Sequence, residues 1–300
     1  MGFLPGMVVS GYGGFYQVRL ESGRVVDCKA RGRLKKQYSK IYSGDKVEIS
    51  LTPEDTGMIE VIRERKMFLS RPNIANVDRL LLVLAWTMPD FDLLLADRML
   101  VIADMAGIAP ILCFNKMDLL KDERRDEFDA LKLAYEQAGV PVLAVSAAEG
   151  RGIEQMREYL AHGITVMAGQ SGVGKSSLLN RLLPEENAEV GKVSDRLRRG
   201  KHTTRYTRIL PLDGEGKGFI ADTPGFFTLD LPEQMTPQEL AMHYPEFHDL
   251  TDCRFDGCVH DKEPDCAVKQ AVSQGKIDND RYKRYLRLLQ EIREREVRYR

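Results

Sequence analysis

Gly169-Gln170-Ser171-Gly172-Val173-Gly174-Lys175-Ser176 stands between an apolar run, Ile164 to Ala168, and the apolar-periodic stretch Ser177-Leu178-Leu179-Asn180-Arg181-Leu182-Leu183. The pattern G-x-x-x-x-G-K-[ST] requires that strand, loop and helix setting, because its glycines let successive backbone N–H groups turn inward around phosphates while the helix N-terminus adds its positive dipole end. On this reading Gly169 to Ser177 cradle the phosphates of a nucleotide, Lys175 reaches the β- and γ-phosphates, and the Ser176 hydroxyl ligates Mg²⁺. An α/β sheet with its ligand loops beyond the carboxyl ends of parallel strands is the expected scaffold.

Working outward, Asp222-Thr223-Pro224-Gly225 follows the run Phe219 to Ala221 and matches D-x-x-G, which places the Asp222 carboxylate near Mg²⁺ and the Gly225 amide near the γ-phosphate. Upstream, Asn115-Lys116-Met117-Asp118 closes the run Pro110 to Phe114 and resembles the N-K-x-D guanine motif of GTPases. Its aspartate is expected to accept two hydrogen bonds from guanine; adenine would leave that buried carboxylate unpaired. Ser146-Ala147 ends the run Pro141 to Val145 and resembles the companion motif whose backbone amides meet the guanine carbonyl oxygen. In ordinary GTPases the phosphate motifs precede the guanine motifs, and here the order is reversed. A doubly wound sheet tolerates such a circular permutation because its site is assembled from loops at one edge. Leu80 to Trp86 reads as a further buried strand, and Phe91 to Ala103 as a helix entered through Pro89 and Asp90.

Three hundred residues suggest two or three domains at roughly 100–200 residues each. Before Arg71-Pro72 the texture differs: five short β-rich runs (Met7 to Ser10, Phe15 to Leu20, Val25 to Ala30, Lys46 to Leu51, Met58 to Ile62) fit a small barrel of the OB type, a fold whose faces commonly bind oligonucleotides. The formal net charge of -1 excludes a uniformly basic nucleic-acid coat, so a polyanion would have to be met by local patches. One is the stretch with Lys29, Arg31, Arg33, Lys35, Lys36 and Lys40, which reads either as a solvated loop or as an RNA contact. Another is residues 190–208, the expected switch I, with Lys192, Arg196, Arg198, Arg199, Lys201, Arg205 and Arg208 against Asp195. No apolar run approaches the roughly 18 residues of a membrane span, and MGFLPG lacks a targeting pattern. A soluble, cytoplasmic monomer is expected.

Cys253, Cys258, His260 and Cys266 supply three thiolates and one imidazole in one short loop, a complete set for a closed tetrahedral Zn²⁺ site with no open position for catalysis. One structural zinc is expected, supplying folding free energy to a segment with little core of its own. From Asp280 on the chain is helix-like, with Tyr282, Tyr285, Leu286, Leu289 and Ile292 as an apolar stripe. Its arginines read either as the outer face of a docked helix or as phosphate contacts. The chain thus divides into residues 1–70, an OB-fold barrel; 71–230, an α/β nucleotide-binding domain; and 231–300, a mostly α metal-binding domain.

NKMD, then SA, then GQSGVGKSS, then HTT and DTPGF, between a barrel-like segment and C-x4-C-x-H-x5-C, resemble the RsgA (YjeQ) family over essentially the whole chain. The family comprises bacterial GTPases dependent on the small ribosomal subunit. The resemblance implies GTP hydrolysis stimulated by the 30S subunit late in its maturation, through contacts with 16S rRNA. It also matches Thr204 to the switch I threonine that meets Mg²⁺ and the γ-phosphate, with Thr203 as the alternative. Directly after Gly225 stands Phe226, where Ras-like enzymes carry the glutamine that orients the attacking water. The nearest candidate to replace it is His202, which reads equally as an RNA or solvent contact.

Overall fold

The structure is a computed structural model; it describes residues 2–32, 34, 40–70, 72–184, 207–212, 217–222 and 230–298, with the backbone alone for 222 and 296–298. The five β-rich runs form a closed barrel of β1 (Leu4–Tyr12), β2 (Phe15–Leu20), β3 (Val25–Ala30), β4 (Lys46–Leu51) and β5 (Gly57–Ile62), in the order β1-β2-β3-β5-β4 with β1 closing on β4. All pairs are antiparallel except β3 with β5. Alternation decides which side chains fill it: along β3, Val26, Cys28 and Ala30 point inward while Val25, Asp27 and Lys29 face out. Val8, Val18, Val47, Ile49 and Ile59 complete a core sealed from water.

A short antiparallel hairpin, β6 (Phe68–Ser70) with β7 (Asn73–Ala75), leads into the sheet. The sheet comprises β8 (Arg79–Ala85), β9 (Ala109–Asn115), β10 (Val142–Ala144), β11 (Gly163–Ala168), β12 (Arg208–Pro211) and β13 (Gly218–Asp222), in the order β10-β9-β8-β11-β13-β12. Every pair is parallel but the last, where β12 runs antiparallel at the edge. The continuous apolar runs of β8 and β11 have the burial of central strands covered on both faces. Leu80, Leu82 and Leu84 enter one core layer beneath α1 (Leu93–Met105) and α2 (Arg125–Gln137). Leu81, Val83 and Ala85 enter the opposite layer beneath α3 (Ile153–Leu160) and α4 (Lys175–Leu182). Helix α1 begins two residues later than its apolar spacing suggests, and its N-cap is Asp92. The Asp92 carboxylate accepts from the amides of Leu94 and Leu95 at 2.9 and 3.1 Å, satisfying first-turn donors that Phe91 cannot serve.

The C-terminal unit is mostly helical: α5 (Pro237–Met242), α6 (Ala267–Ser273) and α7 (Asn279–Arg298). Helix α5 starts on a reciprocal capping box between Thr236 and Glu239. Tyr285, Leu288, Leu289 and Ile292 of α7 are fully buried and share a core with Val101 of α1. At about 1.5–3 kcal/mol for each large apolar side chain removed from water, this stripe docks the helix. Four of its arginines are committed within the chain: Arg281 and Arg284 to Asp97, Arg293 to Asp261, and Arg295 to the Leu231 carbonyl at 2.8 Å. The docked-helix reading therefore holds for these four.

Candidate nucleotide site and metal centre

The loops after β9, β10 and β11 open at the same sheet edge. The phosphate loop follows β11, and Lys175 begins α4, with its ammonium held inside the loop by the Gly169 and Gln170 carbonyls at 2.6 and 2.7 Å. Asn115 ends β9 and is 2% exposed; its Nδ2 donates to the Val173 carbonyl at 2.9 Å, and its Oδ1 accepts the Ala147 amide at 3.0 Å. Gly174 has φ +96°, and a Cβ there would lie 2.3 Å from Asn115 Nδ2, so the close approach of the two loops requires glycine. Lys116 takes a left-handed conformation and its ammonium donates to the Met88 carbonyl. The Ser146 hydroxyl donates to the Asp118 carboxylate and accepts the Glu149 amide at 3.1 Å. That bond orients the carboxylate proposed to read guanine.

Asp222 ends β13 beside β11, so its backbone stands at the same edge as the phosphate loop. Thr203, Thr204, His202, Gly225 and Phe226 lie outside the described residues, as do most of residues 190–208 and, in the loop after β3, Arg33, Lys35 and Lys36. One residue that the sequence reading passed over ties the two halves together. Arg181 of α4 donates from Nε to the Ala147 carbonyl at 2.9 Å and from Nη2 to the Ala148 carbonyl at 2.8 Å. It occupies an ordinary polar position of an amphipathic helix, and no spacing marks it.

In the C-terminal unit, one ligand atom from each of Cys253, Cys258, His260 and Cys266 lies within 4.8 Å of the others. Cys253 Sγ stands 3.6 Å from His260 Nδ1 and 3.9 Å from Cys266 Sγ, and His260 Nδ1 stands 3.4 Å from Cys266 Sγ. A tetrahedron built on zinc bond lengths needs about 3.8 Å between sulfurs and about 3.5 Å between sulfur and nitrogen. The donor set and its spacing fit a metal ion. Burial holds the His260 imidazole below its ordinary pKa, favouring the neutral, ligating form. Helix α7 braces the loop, with the Tyr282 and Tyr285 hydroxyls donating to the His260 and Val259 carbonyls at 2.6 and 2.7 Å.

The family model described as RsgA GTPase matches residues 62–232, and that described as RsgA N-terminal domain matches residues 5–59. The chain belongs to the RsgA GTPase family. Among curated relatives, the small ribosomal subunit biogenesis GTPase RsgA of Shouchella clausii is 44% identical, the alignment covering 98% of this chain and 99% of that one. The protein of the same name from a Geobacillus species is 43% identical over the same shares of each chain. Among solved structures, YjeQ from Thermotoga maritima superposes with a TM-score of 0.84 at 36% identity, covering 97% of this chain and 99% of that one. YloQ, described as a circularly permuted GTPase, gives 0.82 at 32% identity, covering 98% and 96%. An RsgA-family GTPase with guanine motifs ahead of the phosphate loop is therefore a permuted one, and the N-terminal barrel and C-terminal Cys/His cluster complete the architecture.

Proposed function

We propose that this GTPase hydrolyses GTP on the small ribosomal subunit during its late maturation, bound to 16S rRNA and stimulated by it. The single observation that carries the reading is Asn115, whose amide joins the guanine loop to the phosphate loop within a chain that matches subunit-biogenesis GTPases end to end. In this mechanism Asp118 pairs with the guanine edge, the Ser146-Ala147 loop meets its carbonyl oxygen, and Gly169 to Ser177 wrap the phosphates. Lys175 turns from the loop carbonyls to the β- and γ-phosphates. Ser176, Thr204 and Asp222 would hold Mg²⁺, which when bound with GTP neutralises charge developing on the phosphates. The Gly225 amide would meet the γ-phosphate, and His202 would orient the attacking water in place of the glutamine whose position Phe226 takes in the sequence.

Cys253, Cys258, His260 and Cys266 would hold one structural Zn²⁺, the metal that suits three thiolates and an imidazole. The working unit is a cytoplasmic monomer of three domains, residues 1–70, 71–230 and 231–300; among the described residues no helix is long and apolar enough to cross a membrane. Subunit binding is tested by co-sedimentation with purified 30S particles, with a non-hydrolysable GTP analogue or GDP, across a salt series. Binding that favours the analogue and weakens steeply with salt is expected. Equal sedimentation with and without particles would refute the reading.

A further inference from the structure

Helix α4 carries Lys175 at its first residue and Arg181 six residues on, about 9 Å along the axis. One end of the helix meets the phosphate loop and the other meets the loop after β10. There Arg181 donates from Nε to the Ala147 carbonyl at 2.9 Å and from Nη2 to the Ala148 carbonyl at 2.8 Å. The end that carries Arg181 is itself fastened. Arg157 of α3 donates from Nη1 to the Leu182 carbonyl at 2.7 Å and from Nη2 to the Arg181 carbonyl, so the packing of α3 on α4 sets where the Arg181 guanidinium starts from.

The neighbouring amides of that loop all have acceptors. The Ser146 amide donates to the Arg151 carbonyl at 3.0 Å and the Gly150 amide to the Ser146 carbonyl at 2.8 Å. The Ala147 amide donates to Asn115 Oδ1 at 3.0 Å and the Glu149 amide to the Ser146 hydroxyl at 3.1 Å. Among the described residues the Ala148 amide between them has no acceptor, and Ala148 is exposed. In a trans peptide the carbonyl and the N–H point to opposite sides. The bond from Arg181 to the Ala147 carbonyl therefore turns the Ala148 N–H away from α4. The bond to the Ala148 carbonyl, with that of the Glu149 amide to Ser146, fixes the next peptide. Both peptide planes flanking Ala148 are held, and its donor is left open.

We propose that Arg181 is a positioning residue for base recognition: by gripping the two carbonyls it presents the Ala148 amide to the 6-carbonyl oxygen of guanine. The proposal rests on the reading of Ser146-Ala147 as a guanine loop. An amide donates to that oxygen but meets another donor in the 6-amino group of adenine, so a donor fixed in place adds discrimination between purines. A donor ordered before binding also spares the nucleotide the cost of ordering it. The fork of the guanidinium suits two adjacent acceptors, which a single ammonium serves less well. Asp118 is held separately, by the Ser146 hydroxyl, so the two contacts to the base have different supports.

The test measures the affinities of full-length wild type, Arg181→Ala and Arg181→Lys for GDP, 6-thio-GDP and IDP. The thio analogue puts a weakly accepting sulfur in place of the 6-oxygen and keeps the edge assigned to Asp118; IDP keeps the oxygen and lacks the exocyclic amine. Wild type is expected to prefer GDP to 6-thio-GDP by about three- to tenfold, the worth of one hydrogen bond. Arg181→Ala is expected to bring that ratio to within about twofold of unity while keeping the wild-type preference for GDP over IDP. Arg181→Lys is expected to recover part of the lost preference. A wild-type ratio of GDP to 6-thio-GDP in Arg181→Ala overturns the proposal, as does equal loss of both preferences, which marks a general loosening of the site. If wild type itself does not distinguish GDP from 6-thio-GDP, the reading of the guanine loop falls and takes the proposal with it; if wild type and Arg181→Ala distinguish them alike, only the role of Arg181 falls.

Discussion

Asn115 and Val173 are joined by a buried hydrogen bond of 2.9 Å, through which the loop proposed to read the base holds the loop proposed to wrap the phosphates. The same amide accepts from Ala147 at 3.0 Å, so one side chain serves three loops. Asn115→Ala leaves a carbonyl and an amide buried without that partner, each at about 1–3 kcal/mol. Guanine nucleotide affinity is expected to fall by at least tenfold, measured by titration with fluorescent GDP. Wild-type affinity in the variant would mean that the two loops hold their places independently. Asp118→Ala differs in kind: it is expected to reduce the preference for GTP over ATP in competition.

Arg281 is 3% exposed and faces two carboxylates, Asp97 of α1 at 2.7 Å and Glu246, with Tyr135 and Tyr244 flanking its guanidinium at 5.0 Å each. Burial opposes its charge, but Asp97 and Glu246 outweigh burial and hold its pKa above the ordinary value. Arg281→Ala takes from the buried Glu246 side chain its guanidinium partner, leaves Asp97 with Arg284 and Tyr135, and is expected to destabilise the fold by about 3–5 kcal/mol, read by denaturant unfolding. Arg24→Ala, which breaks an exposed pair with Asp55, is expected to leave the midpoint unchanged. Equal effects would show that the seam between α1 and α7 is held by its apolar core alone.

These two sites mark the limits of what the sequence discloses. Asn115 is legible because N-K-x-D is a local pattern after an apolar strand, and the core strands β8, β9 and β11 are legible because strands buried on both faces read as unbroken apolar runs. Arg281 is not legible: its partner Asp97 lies far away in the chain, and an arginine on a helix rich in arginines reads as solvated. Strand β12 escapes for another reason. It is short, runs antiparallel at the sheet edge, and begins with the exposed Arg208, so it lacks the run that marks its neighbours. The metal ligands are legible as a local cluster, whereas the brace from Tyr282 and Tyr285 depends on how α7 packs.

Removing the metal should therefore be felt beyond its own loop. Chelation, or Cys258→Ser, is expected to release α7 from the Val259 and His260 carbonyls and lower the unfolding midpoint of the C-terminal unit, seen as loss of near-ultraviolet tyrosine dichroism. Elemental analysis of untreated protein is expected to give one zinc per chain. Substoichiometric metal, or full stability after chelation, would contradict a structural role.

His202→Ala separates water orientation from RNA contact. It is expected to retain GTP and subunit binding yet lose most stimulated turnover, measured under saturating subunit. Full stimulated turnover would remove His202 from the mechanism.

The most direct measurement is steady-state GTP hydrolysis with and without purified small ribosomal subunits as salt is raised. Slow intrinsic turnover, a large stimulation by subunits and loss of that stimulation with salt are expected, because a phenyl ring at Phe226 offers water no hydrogen bond and the proposed function has RNA phosphates supply the order. Turnover that does not change when subunits are added would contradict the proposed function at its centre.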